Sequence, residues 1–283
     1  MPVIYALISA LSFGTSDYVG GKLSRTQDPA RVTATSQVLA FFVYLVLAIV
    51  VPGTFSLESF LLGTVSGIST VVGLNFFYAA LAEGVVGVVA SITALITATT
   101  PALWSFFVNG EPVRPFFLGG AALAAVAIIM LALPKKIAEL EKDAAQMSVS
   151  AWIKTISGGL VLAVSLIFMS KTSPASGCWP LVGVGTSAVI FSMLFARIKT
   201  GGVFIPRNYK KELVIMMICM GAAYWAQLYA ARSGALAIAS VVGALYTAPT
   251  ILLAHFVDDE KMSSNQTFGA VFALAAIVLI ALS

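Results

Sequence analysis

Charge is what this sequence has least of. Its 283 residues include 12 Asp+Glu and 16 Lys+Arg, so 10% are charged and 59% are hydrophobic, where a soluble domain has about 25% charged and about 45–50% apolar residues. Mean hydropathy is +0.99. A water-soluble fold is excluded, and the apolar excess reads as surface that faces lipid. Histidine occurs once and cysteine twice. His255 has no HExxH motif around it and no Cys–His pair at metal spacing, so neither a metal centre nor a catalytic constellation is expected. Cys178 and Cys219 lie inside apolar runs and read as packing residues. Pairs such as Gly119–Gly120 lack the strand, Lys and Ser/Thr context of a phosphate loop, which leaves ATP-driven chemistry and any other cofactor without support. The basic residues are scattered at the ends of apolar runs and form no nucleic-acid footprint.

What the sequence has is apolar runs. A helix that spans a bilayer needs about 20 such residues, and ten runs meet that length, near 3–23, 32–51, 59–81, 85–108, 115–133, 152–171, 178–197, 211–231, 235–257 and 265–282. The first has no basic leader and no convincing cleavage site, so it reads as a retained helix. The longest polar stretch, Pro134 to Ser150, carries Lys135, Lys136, Glu139, Glu141, Lys142 and Asp143. Such a stretch cannot enter lipid cheaply. It divides the chain into a five-span unit at 1–137, a polar linker at 138–150 and a second five-span unit at 151–283.

The two units repeat. At a constant offset of 149, Ala90-Ser91 falls on Ala239-Ser240, Phe107-Val108 on Phe256-Val257 and Glu111 on Glu260. Further on, Gly120-Ala121, Ala124, Ala127-Ile128 and Ala132-Leu133 meet Gly269-Ala270, Ala273, Ala276-Ile277 and Ala281-Leu282 without a gap. Because each unit has an odd number of spans, the second enters the membrane inverted relative to the first. The predicted fold is therefore an all-α membrane protein of ten transmembrane helices arranged as two inverted five-helix repeats. Exchanging the shapes of the halves exchanges the open side, which is the geometry that alternating access requires. Odd-numbered connections hold 13 of the Lys and Arg residues and even-numbered ones hold Arg114, Lys171 and Arg232. By the positive-inside rule this puts the odd connections in the cytoplasm and both termini outside.

Asp17 is the main polar anomaly. It lies roughly 9 Å inside the first span at 1.5 Å per residue, too deep for its short side chain to snorkel out. A carboxylate near a span centre costs about 2.5–3.5 kcal/mol, so it should face water or a partner and is a site for a proton or a cationic substrate. Lys22, five residues on, points about 140° away around the helix. The alternative is that Gly20-Gly21 ends the helix early and leaves Asp17 at the interface. The fourth and ninth spans carry small-residue ridges, Ala90, Ala94, Ala98 and Ala239, Gly243, Thr247, where backbones can approach. Their polar residues include Ser91, Thr93, Thr97, Thr99, Thr100, Ser240 and Tyr246. These line a cavity or satisfy helix carbonyls freed by Pro101 and Pro249, where a kink or hinge is expected. The third and eighth spans add Asn75, Tyr78, Tyr224, Trp225, Gln227 and Tyr229, a set denser in hydrogen-bonding groups than lipid-facing helices tolerate. Trp104, Trp152 and Trp179 near span ends read as an interfacial belt. No cluster of Arg or Lys lies inside the spans to hold a phosphate.

Two stretches, NFFYAALAEGVVGVVASITALITATTPAL with GEPVRPFFLGGAALAAVAIIML, and YAARSGALAIASVVGALYTAPTILL with DEKMSSNQTFGAVFALAAIVLI, resemble the EamA-type members of the drug/metabolite transporter superfamily along the whole chain. The resemblance implies a basket-like bundle whose central cavity is lined by the third, fourth, eighth and ninth spans, with the first and sixth contributing. Many relatives export amino acids or other small metabolites, some couple to protons, and many have cytoplasmic termini, opposite to the charge bias. The expectation is a secondary transporter in a prokaryotic cytoplasmic membrane. It takes amino acids or related amphipathic solutes and works as an exporter, with protons as a candidate coupling ion. A sugar or nucleobase importer or facilitator, and a non-transporting membrane protein, are the rival readings. Candidate substrate or coupling residues are Asp17, Asn75, Tyr78, Ser91, Thr97, Tyr224, Trp225, Gln227, Tyr229, Ser240 and Tyr246.

Overall fold

The computed structural model describes residues 2–132, 147–233, 235–259 and 262–282. Among them are α1 (Pro2–Ser24), α2 (Pro29–Val50), α3 (Leu57–Glu83), α4 (Val86–Phe107), α5 (Pro115–Ala132), α6 (Val149–Ser170), α7 (Trp179–Thr200), α8 (Lys210–Arg232), α9 (Leu236–Gly243), α10 (Thr247–Asp258) and α11 (Ser264–Ala281), with no strand. The helix starts follow local chemistry. Asp28 accepts from the Ala30 N–H with Pro29 at the first helical position, Ser148 accepts from the Ala151 N–H, and Ser263 with Gln266 forms a reciprocal capping box, each satisfying amide donors that the first turn leaves free. Gly201, at φ 70°, supplies the left-handed residue that stops α7.

Nine segments are long and apolar enough to cross a membrane among the described residues, with α9 and α10 counted together as Leu236–Asp258. α1 matches them in length at 23 residues but is not among the nine, because its second half, with Gly14, Thr15, Ser16 and Asp17, is polar. The helix nevertheless runs unbroken through Gly20 and Gly21 to Ser24, so Asp17 sits inside it and not in an interfacial loop. α6 begins at Val149, three residues before the expected start, and most of the expected polar linker lies outside the described residues.

The ninth span is one membrane crossing in two pieces. A 3-10 turn, Ala244–Tyr246, separates α9 from α10. Pro249 follows by three residues. Having no N–H, it cannot bond the Leu245 carbonyl, and its ring crowds that group. Pro101, by contrast, lies within an uninterrupted α4, so only one of the two prolines accompanies a break.

Packing divides the helices into groups. α3 lies against α6 and α7, and α4 lies against α6. On the other side α8 lies against α1 and α2, while α9 and α10 lie against α1. The pairs α2–α7 and α5–α11 complete the bundle. Glycine sets the closest of these approaches. A Cβ at Gly63 would lie 2.1 Å from the Pro180 carbonyl oxygen, one at Gly67 would lie 2.1 Å from Ser187 Oγ, and one at Gly183 would lie 2.2 Å from the Phe60 oxygen. The α3–α7 seam is therefore backbone against backbone, as small residues permit in membranes.

Gly63→Leu should destabilise the detergent-solubilised protein by about 1–3 kcal/mol or prevent its folding, the usual range for overpacking. Gly119→Leu should be near neutral, because a Cβ there meets nothing within 4 Å. Thermal melts of both variants check the contrast, and equal melting temperatures would refute the seam.

Candidate functional site

Four elements converge on Asp17. Its charge interacts with Tyr78 of α3, Tyr224 of α8 and Tyr246 in the turn between α9 and α10. The carboxylate is enclosed by protein yet keeps accessible surface, and Tyr78 is 55% exposed. A group surrounded by protein but still accessible lines an internal recess, and Gly243 on α9 has open space where a Cβ would stand. Among the described residues no hydrogen bond or ion pair is made to Asp17. Lys22 turns away from it to Asp258 at 2.5 Å.

The recess is held by close packing. A Cβ at Gly14, one turn before Asp17, would lie 2.5 Å from the Tyr246 carbonyl oxygen and 2.7 Å from Pro249 Cβ. The Thr250 hydroxyl donates to the Gly14 carbonyl at 3.0 Å, so α1 is pressed directly on the break in the ninth span. Tyr224 is fixed by edge-to-face rings, Phe13 at 5.1 Å and Tyr44 at 5.6 Å, and faces Thr70. Thr70 shares a 2.8 Å hydrogen bond with Ser165, which shares another of 2.8 Å with Ser66, tying α3 to α6 behind the tyrosine.

The recess is not the same at its two ends. α4 packs extensively on α9 but not on α10, and Ala98, Ala102, Ala239, Val241 and Val242 are buried together in one apolar cluster. The end of α4 therefore meets the start of α9, with Glu111 beyond α4 bonded to Leu236, so the two close together at the end that carries the even-numbered connections, while α4 and α10 do not pack at the other. Polar contacts reinforce the sealed end. Glu111 accepts from the Leu236 N–H at 3.1 Å, and Arg232 donates to Thr172 Oγ1, Ser176 Oγ and the Gly177 carbonyl. At the open end the ion pairs run instead between neighbours that already pack together, Lys22–Asp258 joining α1 to α10 and Lys154–Glu83 joining α6 to α3. Hydrogen bonds from Lys154, then Ser150, hold the Glu83 carboxyl below the usual carboxylate range, beyond the apolar stretch Leu57–Leu81.

The sequence-predicted residues separate into three sets. Asp17, Tyr78, Tyr224 and Tyr246 come together. Asn75 is exposed on α3 near them, its amide donating to the Val71 carbonyl at 2.8 Å, and Gln227 is half-buried on α8. Trp225 and Tyr229 form a separate aromatic trio with Tyr5, with centroids 5.3–5.7 Å apart. Thr97 donates to the Thr93 and Gly159 carbonyls, Ser240 donates to the Ala237 carbonyl, and Ser91 is buried. These three hydroxyl residues sit in helix packing. Of the small-residue ridge, Ala98 and Ala239 pack as expected, whereas Gly243 faces open space. Phe13, Gly14, Tyr44 and Thr70 were not marked by the sequence; in spans that are apolar on every side, nothing in their spacing points inward.

Gly14→Val should displace the break in the ninth span and lower ligand binding together with thermal stability, by about 1–3 kcal/mol for the latter. Gly21→Val, where a Cβ meets nothing within 4 Å, should leave both within error. A Gly14→Val protein that binds ligand like the parent would contradict the contact.

No curated protein sequence matches the chain significantly. Among solved structures, a crystal structure of a protein with 14% sequence identity superimposes with a TM-score of 0.79 over 99% of this chain and 97% of the other, which establishes the shared fold. Residues 1–133 match the model of the EamA-like transporter family. That stretch contains α1 to α5, including Asp17, Asn75 and Tyr78. Through it, the first five helices of this chain are similar to the EamA-like transporter family.

Proposed function

We propose that the protein is a secondary active transporter of small amphipathic metabolites, and that it works as an exporter by alternating access between two inverted five-helix repeats. The observation that carries this reading is the recess around Asp17, reachable from one end and sealed at the other by the α4–α9 seam. The packing supports the repeat. Applying the 149-residue offset turns the α1–α8 contact into α6–α3 and the α2–α8 contact into α7–α3, while α2–α7, α5–α11 and α4 with the ninth span map onto themselves. One polar pair follows the same rule: Lys22–Asp258 maps onto Lys171–Asn109, which are hydrogen-bonded at 3.0 Å.

Movement is then confined to few surfaces. α1, α8, α9 and α10 form one group and α3, α4 and α6 the other. Rocking one against the other would part α4 from α9 and bring it to α10. The charge bias assigns the open end to the cytoplasm, which makes the described conformation the loading state of an exporter. No phosphate loop is present in the sequence, so the driving force is a gradient, with Asp17 as the residue that takes the proton or the solute's charge.

Counterflow in proteoliposomes tests the proposal. Trans-stimulated exchange of at least one amphipathic metabolite is expected, with Asp17→Asn lowering the rate by about tenfold or more, equivalent to ~1.4 kcal/mol. Flux equal to empty liposomes for every amino acid and amine tried, or exchange confined to sugars or nucleobases, would refute it.

A further inference from the structure

We infer that the recess selects solutes bearing a single positive charge, such as primary amines, over zwitterions and anions. The inference rests on the transport reading for the recess's purpose, but it is argued from the charges that line it. Asp17 has no bonded partner among the described residues. Phe13 and Gly14, four and three residues before it on the same face of α1, meet the Tyr224 ring at 5.1 Å and the Tyr246 backbone, where a Cβ on Gly14 would lie 2.5 Å from the carbonyl oxygen, so two phenol-bearing residues from other elements stand on its side of the helix. A carboxylate backed by aromatic rings offers an ammonium group both a counter-charge and ring faces that attract cations.

The same recess has nothing for a carboxylate. Every described Lys and Arg lies in a connection or near a helix end; Lys22, five residues beyond Asp17, is committed to Asp258, and Lys154 is committed to Glu83. An amino acid could seat its ammonium at Asp17 only by desolvating its own carboxylate near a like charge, with no donor of opposite sign to receive it. An anion meets the repulsion alone. A neutral solute gains from the rings but leaves Asp17 unpaired. The order of binding is therefore amine, then neutral analogue or zwitterion, then anion.

Four probes with one phenyl body isolate the charge: phenethylamine, phenethyl alcohol, phenylalanine and hydrocinnamate, titrated by calorimetry against the full chain in detergent. Phenethylamine should bind about tenfold or more tightly than the other three, with ~1.4 kcal/mol for each tenfold. Asp17→Asn should bring it level with phenethyl alcohol, while Gly21→Val, where a Cβ meets nothing within 4 Å, should keep the order. The wild-type order alone decides the question should the Asn variant not fold. Phenylalanine or hydrocinnamate binding as tightly as the amine, or no binding of the amine, would overturn the inference. Exchange of phenylalanine but not the amine in proteoliposomes would overturn it too while leaving transport standing. The expected binding order without exchange of any solute would uphold the charge selection and remove the transport reading.

Discussion

A carboxylate inside a membrane helix is tolerated only where water, a proton or a cation reaches it. At Asp17 the cost, about 2.5–3.5 kcal/mol at a span centre, is not offset by an internal ion pair, since Lys22 is held by Asp258. It is offset by access to the recess. That access explains several otherwise unrelated features: the polar second half of α1, the close approach of Gly14 to the Tyr246 carbonyl, and the two-piece ninth span. Broken helices at membrane depth are stable where the irregular backbone lies against protein or a cavity, and the turn at Ala244–Tyr246 satisfies this by packing on α1.

Asymmetry between the ends follows from where helices touch. At the sealed end, small side chains let α4 and α9 meet, and Glu111 and Arg232 add hydrogen bonds that cross between the helix groups. At the open end the strongest polar contacts, Lys22–Asp258 and Lys154–Glu83, stay within groups. Interactions that rigidify each group but do not bridge them leave a hinge between bodies, and packed interfaces of this kind tend to have discrete arrangements. The α3–α7 seam, where Gly63, Gly67 and Gly183 bring backbones together, is a fixed surface against which such a movement can occur.

Much of this was legible in the sequence, and the reasons it was not all legible are physical. Apolar length alone located the helices, and the bonded pairs Lys22–Asp258 and Lys171–Asn109 differ by the same offset of 149 at which the two halves of the sequence match. Asp17 stood out because a buried charge is expensive whatever surrounds it. The roles of hydroxyl residues did not stand out, because Thr97 bonded to its own helix and a Thr facing solute are the same residue in the same kind of span. Only the packing of α4 on α6 separates them. Trp225 and Tyr229 were grouped with Tyr224 by their position on one helix, yet Trp225 is turned about 100° from Tyr224 and Tyr229 lies more than one turn further along, where Tyr5 completes a separate cluster. Tyr44 and Phe13 escaped notice because a span that is apolar on every face carries no periodic contrast to mark its inner side.

The central claim is that one recess, bounded by Asp17 and sealed by α4 and α9, opens to a single side of the membrane. In protein with Cys178 and Cys219 replaced by Ser, modification of Tyr78→Cys and Ala98→Cys by an impermeant thiol reagent, applied to each side of oriented vesicles, measures it directly. The account predicts labelling of Tyr78→Cys only from the side of the odd-numbered connections, and protection of Ala98→Cys from both sides until solute is added. Equal labelling of Tyr78→Cys from both sides, or ready labelling of Ala98→Cys without solute, would contradict it.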